Sequence, residues 1–226
     1  MTSTQQQISR SKALTLYHSY LKLNELTPIA ISRTRYIYEH PDNPELLVKV
    51  HRRIEISGPM SRLQHWYRNI EDRFIFLSGN LRELNIYFQS RYNRADTLVR
   101  YIAPIEGIVD TDLGLGLVVS AVRDKKGNLA PTIGKLFREN RMNTSRAKKL
   151  RALLEQIEKT DLVIGDLNFG NIVLEQPADG EEDFYLIDGL GEKTLFPIQT
   201  ISRYARRKNK QTFITAVEKR LAEAGF

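Results

Sequence analysis

The stretch GDLNFGNIVLE, from Gly165 to Glu175, places an acid and an amide five positions apart, at Asp166 and Asn171. A strand-like apolar run follows, and a second such run, within FYLIDGLGE at 184–192, ends in Asp188 and a glycine. Because Asp and Asn are common in turns, one interpretation is a β-hairpin whose polar residues cap its turns. Because carboxylate and amide oxygens are ligands that Mg²⁺ prefers, the other interpretation is a cage for metal and phosphate.

Length and composition indicate a globular protein with one large domain or two small lobes. The 226 residues are 41% hydrophobic and 27% charged, which allows a sizeable core and argues against global disorder. The chain has no cysteine, which excludes disulfides, thiolate metal sites and cysteine nucleophiles. The four histidines show no metal-ligand spacing, and no G-x-S-x-G elbow points to a hydrolase.

The charge balance favours an anionic partner. The net charge is +7 and the isoelectric point is about 9.5, which suits a nucleotide, a nucleic acid or a membrane surface without choosing among them. The densest basic stretch, RYARRKNK at 203–210, is interpreted as a solvated helical face. The polar N-terminus lacks a signal-peptide core and no apolar run approaches a membrane span, so we expect a cytoplasmic protein.

An antiparallel sheet is predicted near the N-terminus, after a loose tail at 1–12. Three segments alternate apolar and polar residues or are rich in β-formers. The predicted strands are LKLNEL at 21–26, RTRYIYEH at 33–40 and LLVKV at 46–50, with connections at TPIAIS (27–32) and PDNP (41–44).

Residues 51–93 are predicted to be mostly helical, with Ser78–Asn80 separating two helices. Leu81, Leu84 and Phe88 share one predicted apolar stripe. Trp66, the single tryptophan, is expected in the core.

Strand character returns within 97–122, where residues 112–114 indicate a hairpin turn. TSRAKKLRALLEQIEK at 144–159 predicts an amphipathic helix capped by Thr144 or Ser145. Its predicted apolar stripe is formed by Leu150, Leu153, Leu154 and Ile157. The motif hairpin follows with a polar tip at 177–183, and a final helix is predicted around 212–224, with one face formed by Phe213, Ile214, Val217 and Leu221. This order of elements predicts an α+β chain with a β-sheet lobe and a smaller helical lobe.

The acids and the amide of the opening motif, with a lysine and a glutamate upstream, could together bind a nucleoside triphosphate with Mg²⁺. Hard oxygen ligands from an Asp and an Asn suit the metal, and a second Asp can accept the proton of an attacking hydroxyl. A strand lysine can neutralise phosphate charge while a helical glutamate holds it. Lys49, the polar residue of LLVKV, and Glu83 on the following helix are the candidates, with Glu71 as a rival for the glutamate.

These motifs carry a resemblance to a known family. Residues 166–173 (DLNFGNIV) with the later IDG resemble the catalytic loop and metal-binding motif of the protein-kinase-like fold. Four stretches resemble, more closely, the bacterial PhoP regulatory network protein YrbL family over roughly residues 21–220. They are LNELTPIAISRTRYIYEHPDNPELLVKV at 23–50, RELNIYF at 82–88, GLGLVVSAV at 114–122 and IDGLGEKTLFP at 187–197. An extra helical segment lies between Lys49 and Glu83.

The resemblance implies a single kinase-like domain with an antiparallel N-lobe at 13–122 and a reduced C-lobe at 123–226. ATP with Mg²⁺ would lie between the lobes. In matching positions, Lys49 would contact the α- and β-phosphates and Glu83 would be its ion-pair partner. The other implied roles are Asp166 as catalytic base, Asn171 and Asp188 as metal ligands, and Val118, Val119, Ser120 and Ala121 as the hinge beside adenine.

Departures from the kinase pattern narrow the expected activity. The phosphate-covering segment Ile29–Ser32 has no glycine, so Arg33 or Arg35 would have to substitute. Asn168 stands where a lysine is expected, and only 38 residues follow Asp188, too few for a platform that holds a peptide. We therefore expect a kinase acting on a non-peptide hydroxyl acceptor, a weak ATPase, or a pseudokinase that regulates a protein partner through its basic surface. A nucleic-acid-binding protein is a third interpretation that rests on charge alone.

Overall fold

The computed structural model describes residues 20–32, 34–52, 61–92, 96–192 and 198–226. Within the helix at 62–92, the side chains at 67, 68, 71, 72 and 74–78 are not described. The chain forms two compact units, one made of Met1–Asn80 and Pro104–Ala121, the other of Leu81–Ala103 and Val122–Phe226. The expected loose tail at 1–12 and Arg33 lie outside the described residues.

The first unit contains an antiparallel sheet, which confirms the predicted α+β class. Within the described ranges it has five strands in the order β1-β2-β3-β5-β4, each paired antiparallel with its neighbours. The strands are β1 (Ala30–Ile31), β2 (Arg35–His40), β3 (Asn43–His51), β4 (Ile105–Thr111) and β5 (Gly114–Ser120).

The centre of this sheet explains why β3 and β5 are apolar. Side chains alternate between the faces of a strand, so Val48 and Val50 enter one core while Lys49 projects from the opposite face. Both valines are fully buried. The same core contains Leu21, Leu23, Tyr38, Val109 and Val118.

The predicted strand at 21–26 is wrong. Its alternating leucines Leu21 and Leu23 are buried, but Leu21 forms an isolated backbone bridge with Thr111 and the residues after it are held by a side chain rather than by a ladder. The Asp112 carboxylate accepts hydrogen bonds from the backbone N–H groups of Leu23 at 2.7 Å and Asn24 at 3.2 Å. The edge strand β1 lies instead within 27–32, which was expected to be a connection.

One long helix replaces the two that the sequence predicts between 61 and 93. Helix α1 (Arg62–Tyr92) passes through Ser78–Asn80 without a break. Gly79 is buried within this helix, so the glycine there does not mark a turn. Trp66, expected in the core, is 61% exposed.

The predicted apolar stripe of this helix is also wrong. Leu81 and Phe88 are 55% and 57% exposed. The buried residues of the same helical segment are Glu83, Ile86, Tyr87 and Ser90. Hydrophobic periodicity predicts the wrong buried face because two residues on the buried face, Glu83 and Ser90, are polar.

The second unit consists of helices around a two-stranded hairpin. A 3₁₀-helix occupies Thr97–Tyr101, where a strand was predicted. In the described part of this unit, the helices after it are α2 (Ile133–Arg138), α3 (Thr144–Lys159), α4 (Ile198–Ile201) and α5 (Arg203–Glu223), and the hairpin is β6 (Ile172–Glu175) with β7 (Asp183–Leu186). Helix α3 has the predicted bounds and buried stripe, although Asn143 caps it, accepting from the N–H of Arg146 at 2.9 Å. Within the described ranges, no helix combines the length and the apolar character needed to cross a bilayer.

Helix α5 begins nine residues earlier than predicted and changes the interpretation of the basic stretch. Its buried residues continue from Phe213, Val217 and Leu221 back to Lys210 and Arg206. Arg203, Arg207 and Lys208 are exposed, as predicted for a solvated face. The prediction for 203–210 is therefore wrong for the two basic residues that continue the buried stripe.

A side-chain clasp joins α3 to the tip of the hairpin. The guanidinium of Arg146 donates two hydrogen bonds of 2.8 Å to the Glu182 carboxylate, and the Gln176 amide also donates to it. The hydrogen bonds from Arg146 are the main reason that the pKa of Glu182 falls from 4.5 to about 2. Both charged side chains are less than one quarter exposed, so this pair is shielded from solvent more than a surface ion pair.

Replacing Gly116 by alanine should destabilise the first unit by about 1–3 kcal/mol through overpacking. A Cβ at Gly116 would lie 2.6 Å from the Val48 Cγ1 atom. The Val48→Ala change should relieve this clash, so the double variant should be less destabilised than the sum of the single effects in urea unfolding. Leu23→Ala, at an equally buried position of the same core but outside the β3–β5 pairing, is the control that should give no relief. Additivity of Gly116→Ala with Val48→Ala would contradict the packing argument.

Glu182→Gln should destabilise the protein by about 1–3 kcal/mol at pH 7, because it removes charge-assisted hydrogen bonds. Since folding lowers the pKa of Glu182 from 4.5 to about 2, the stabilisation is complete above pH 4.5 and is lost as the pH falls towards 2. Urea unfolding of the wild type and the variant at pH 7, 4.5 and 3 measures this convergence. Glu181→Gln is the control, since Glu181 is 91% exposed. Equal effects of the two changes would contradict the prediction.

Candidate nucleotide and metal site

Asp166 lies in a loop that is closed by two asparagine side chains. The Asn171 amide donates to the backbone carbonyl of Asp166 at 2.7 Å. The Asn168 amide donates to the Asp166 carboxylate at 3.1 Å and to its backbone carbonyl at 3.3 Å. The Asn168 oxygen accepts from the N–H of Gly170 at 2.8 Å. The spacing of these residues therefore fixes the loop through local side-chain hydrogen bonds.

An aromatic residue holds the same loop against two helices. The Phe169 ring makes edge-to-face contacts with Phe137 of α2 and Phe213 of α5, with centroids 6.0 and 5.8 Å away. The Phe169 carbonyl accepts from the N–H of Gly134 at 3.1 Å. A Cβ at Gly134 would lie 3.3 Å from the Phe169 Cβ, so glycine permits this approach.

Asp188 follows β7 and turns sharply at Gly189. The Asp188 carboxylate accepts from the N–H of Gly189 at 2.7 Å. Gly189 has φ of +96°, which disfavours any other residue. A Cβ there would lie 2.7 Å from the Asp166 carbonyl and 3.4 Å from the Asn171 amide nitrogen. The peptide after Asp188 is therefore packed directly against the loop that carries Asp166 and Asn171.

Backbone hydrogen bonds fasten the two segments together. The N–H of Gly165 donates to Gly191 at 2.9 Å, the N–H of Asp166 to Gly189 at 3.3 Å, and the N–H of Gly191 to Val163 at 2.9 Å. The sequence prediction that Asp166, Asn171 and Asp188 share one region rests on motif order, and the described contacts bring these three together.

The donor set suits a Mg²⁺ ion that also binds phosphate. Among the described residues, no three His, Cys, Asp or Glu side chains cluster as ligands. Mg²⁺ commonly uses one or two carboxylates and completes its shell with water and substrate phosphates. Asn171 donates through its nitrogen to the Asp166 carbonyl, so the atom that it could offer to a metal is its amide oxygen. The Asp188 carboxylate comes from the segment that packs on this loop at Gly189.

The remaining predicted residues lie on well-defined elements. Lys49 is 4% exposed on the central strand β3, paired with Ile37 and Leu117 in the ladder. It is therefore not an edge lysine. Val118 and Val119 are buried in β5. Ser120 is the last residue of this strand, and its hydroxyl donates to the Glu106 carboxylate at 2.8 Å.

Glu83 and Lys49 lie in different units. Glu83 is 2% exposed on α1 within the second unit, the unit of Asp166 and Asp188. The side chain of its rival Glu71 lies outside the described part of the chain.

The segment expected to cover phosphate uses a serine in place of glycines. The Ser32 hydroxyl accepts from the N–H of Arg35 at 3.0 Å and donates to its carbonyl at 3.2 Å. This closes the turn between β1 and β2 through a side chain. Arg33, proposed as a substitute phosphate ligand, lies outside the described residues.

Sequence reasoning missed Phe169 and the buried polar residues of α5. Phe169 lies within the Asp166–Asn171 motif, where the sequence alone gives no indication of its contacts with Phe137 and Phe213. Arg206 and Lys210 were assigned to solvent, although stepping back from Phe213 by three and then four residues reaches both. That spacing is the signal that would have found them.

The order of chemical groups is that of the protein-kinase-like fold. A lysine on the third strand, a glutamate on the next helix, an Asp–Asn loop and an Asp after a further strand follow one another as in kinases. The kinase-like α+β organisation that the resemblance implied is thus present.

Comparisons with known proteins give matching relatives. The PhoP regulatory network protein YrbL family matches residues 21–221. The YrbL proteins of Escherichia coli (strain K12) and Shigella flexneri are each 25% identical over 190 residues, covering 81% of this chain and 80% of theirs.

A crystal structure of the Rio2 kinase-ADP/Mg²⁺-phosphoaspartate complex from Chaetomium thermophilum aligns with a TM-score of 0.48 and 15% identity. The alignment covers 91% of this chain and 58% of that one, so this chain spans less than two thirds of that kinase chain. On the extent of the family match, this chain belongs to the PhoP regulatory network protein YrbL family.

Proposed function

We propose that this protein binds ATP with Mg²⁺ and transfers the terminal phosphoryl group to a hydroxyl of a non-peptide acceptor. The observation that carries the proposal is the packing of the Asp188–Gly189 peptide on the Asp166 loop. It gathers two acids and an amide from separate segments. A hairpin that only capped its own turns would not require such an approach.

In this proposal, each residue has one task. Asp188 and the amide oxygen of Asn171 hold Mg²⁺, which supplies charge neutralisation on the phosphates when bound. Asp166 accepts the proton of the acceptor hydroxyl as the new oxygen–phosphorus bond forms and the bond to the ADP oxygen breaks. The products are the phosphorylated acceptor and ADP.

Lys49 and the hinge residues complete the proposed nucleotide site, as the family resemblance implies. Lys49 contacts the α- and β-phosphates, Glu83 orients Lys49, and Val118–Ser120 lie beside adenine. Lys49 is nearly fully buried on the central strand β3, which is rare for a lysine and supports a specific role for its side chain. Positioning and charge stabilisation then provide most of the rate enhancement.

A regulatory pseudokinase is the second candidate function. The observation that favours it is Asn168, a neutral amide bonded to the Asp166 carboxylate at the position where a kinase has a lysine. Without that cation the loop stabilises transferred phosphoryl charge less well. Such a protein would hold nucleotide and act on a protein partner through its exposed cations.

Mg²⁺ and ATP together should raise the melting temperature of the wild type by several degrees. A ligand at one hundred times its dissociation constant stabilises by about 2.7 kcal/mol. The shift should require both components and should vanish in Asp188→Ala. Asp179→Ala is the matched control, because Asp179 is exposed at the hairpin tip, and it should keep the shift. No shift of the wild type at millimolar ligand would contradict nucleotide binding.

Asp166→Asn should separate binding from transfer. The amide keeps the size of the side chain but cannot accept the hydroxyl proton, which lowers the rate by about 10²–10⁴-fold. The shift with Mg²⁺ and ATP should persist in this variant. Release of ADP with a panel of small hydroxyl compounds measures transfer. Wild-type binding without ADP release above that of Asp166→Asn would favour the pseudokinase.

A further inference from the structure

The inner side of α5 contacts the segment that leads into Asp166. The Lys210 ammonium donates to the carbonyl of Thr160, and the Arg206 guanidinium donates to the Asp161 carboxylate at 2.9 Å. The Asn209 amide donates to the carbonyl of Ile164 at 3.1 Å. Three neighbouring residues of one helix thus bond to residues 160–164.

Asn209 makes the contact nearest to the site. Its acceptor, Ile164, lies two residues before Asp166, and Ile164 is fully buried. The carbonyl of its neighbour Val163 already accepts from Gly191, and the N–H of Gly165 donates to Gly191. The Ile164 carbonyl lies between these bonds, so the Asn209 amide completes the hydrogen bonding of the backbone at this point.

The Asn209 side chain is itself fixed. Its amide also donates to the Gln199 side-chain oxygen at 3.2 Å. Gln199 lies on α4, where its N–H and that of Thr200 donate to the Glu192 carboxylate at 2.8 and 3.1 Å. Arg206 donates to the Gln199 carbonyl at 2.6 Å. The amide of Asn209 is therefore held from both sides.

Burial of a charged side chain on the inner side of α5 lowers the free energy of unfolding unless partners compensate it. Lys210 is 2% exposed, and burial together with the nearby Arg206 charge lowers its pKa to about 8. The negative charges of Asp161 and Asp96 act in the other direction and raise the pKa of Lys210. Apolar residues of similar size usually replace buried charges without loss of stability, so stability alone does not explain the choice of polar residues here.

We propose that Asn209 is a positioning residue for Asp166, acting through the backbone of Ile164. The amide sets the path of residues 164–166 and hence the place of the Asp166 carboxylate relative to Asp188. The inference rests on the proposed function for its catalytic consequence, but the positioning itself is a property of the protein without ligand.

Hydrogen exchange of the full chain without nucleotide tests the positioning. In Asn209→Leu, the backbone amides of Gly165, Asp166 and Asn171 should exchange about five- to tenfold faster, because loss of one partly buried hydrogen bond eases local opening. The amide of Leu174, which donates to Pro131, should be unchanged and serves as the internal reference. Asn209→Ser, a smaller change, gives the same comparison if the leucine variant does not fold.

Val217→Ala is the matched control for general destabilisation, since Val217 is fully buried on the same helix. It should lower the melting temperature without changing the exchange of Asp166 relative to Leu174. Equal exchange ratios in the Asn209 variants and the wild type would overturn the inference. So would the same local increase in Val217→Ala.

Nucleotide binding by the same variants separates this inference from the proposed function. If the wild type shows the melting shift with Mg²⁺ and ATP, Asn209→Leu should bind about fivefold or more weakly, the counterpart of one lost hydrogen bond. Unchanged affinity in that case overturns the catalytic consequence. If the wild type shows no shift, the proposed function fails, while the exchange ratio still decides the positioning.

Discussion

The close pairing of residues 163–166 with residues 189–191 is the constraint on which the candidate site depends. Three backbone hydrogen bonds join these segments, and they form only because Gly189 and Gly191 adopt φ values of +96° and +86°. A side chain at Gly189 would collide with the Asp166 carbonyl. The geometry of the acids is thus set by main-chain contacts, and the side chains of Asn168 and Asn171 refine it.

Local side-chain hydrogen bonds recur where the backbone turns outside regular elements. Asp112 holds the backbone of Leu23, Ser32 closes the turn before β2, and Glu192 accepts from the N–H groups of Gln199 and Thr200 in α4. Each satisfies backbone donors that the short elements leave unpaired. In the described residues, these turns are therefore closed by polar side chains.

The sequence predicted those parts whose physics is local. Helix α3 and its stripe follow from a clean helical period. Motif order placed Asp166, Asn171 and Asp188 in one region, where their segments are in contact, and their roles stay predictions. The continuity of α1 was hidden by Gly79, since a glycine within a helix looks the same in sequence as a helix break. Arg206 and Lys210 were hidden because burial of a charged group depends on partners distant in the chain, here Asp161 and Thr160.

The strand order of the first unit has a consequence for how the chain folds during synthesis. Lys49 on β3 pairs with Leu117 on β5. The ribosome synthesises Leu117 68 residues after Lys49, so one edge of β3 has no partner strand during that interval. At about 5–20 residues per second, β3 spends roughly 3–14 s with one edge unpaired on the ribosome. An exposed β-edge invites pairing with other chains. The apolar residues of β3 are thus most exposed to aggregation before the β4–β5 hairpin emerges, well before any mature surface exists.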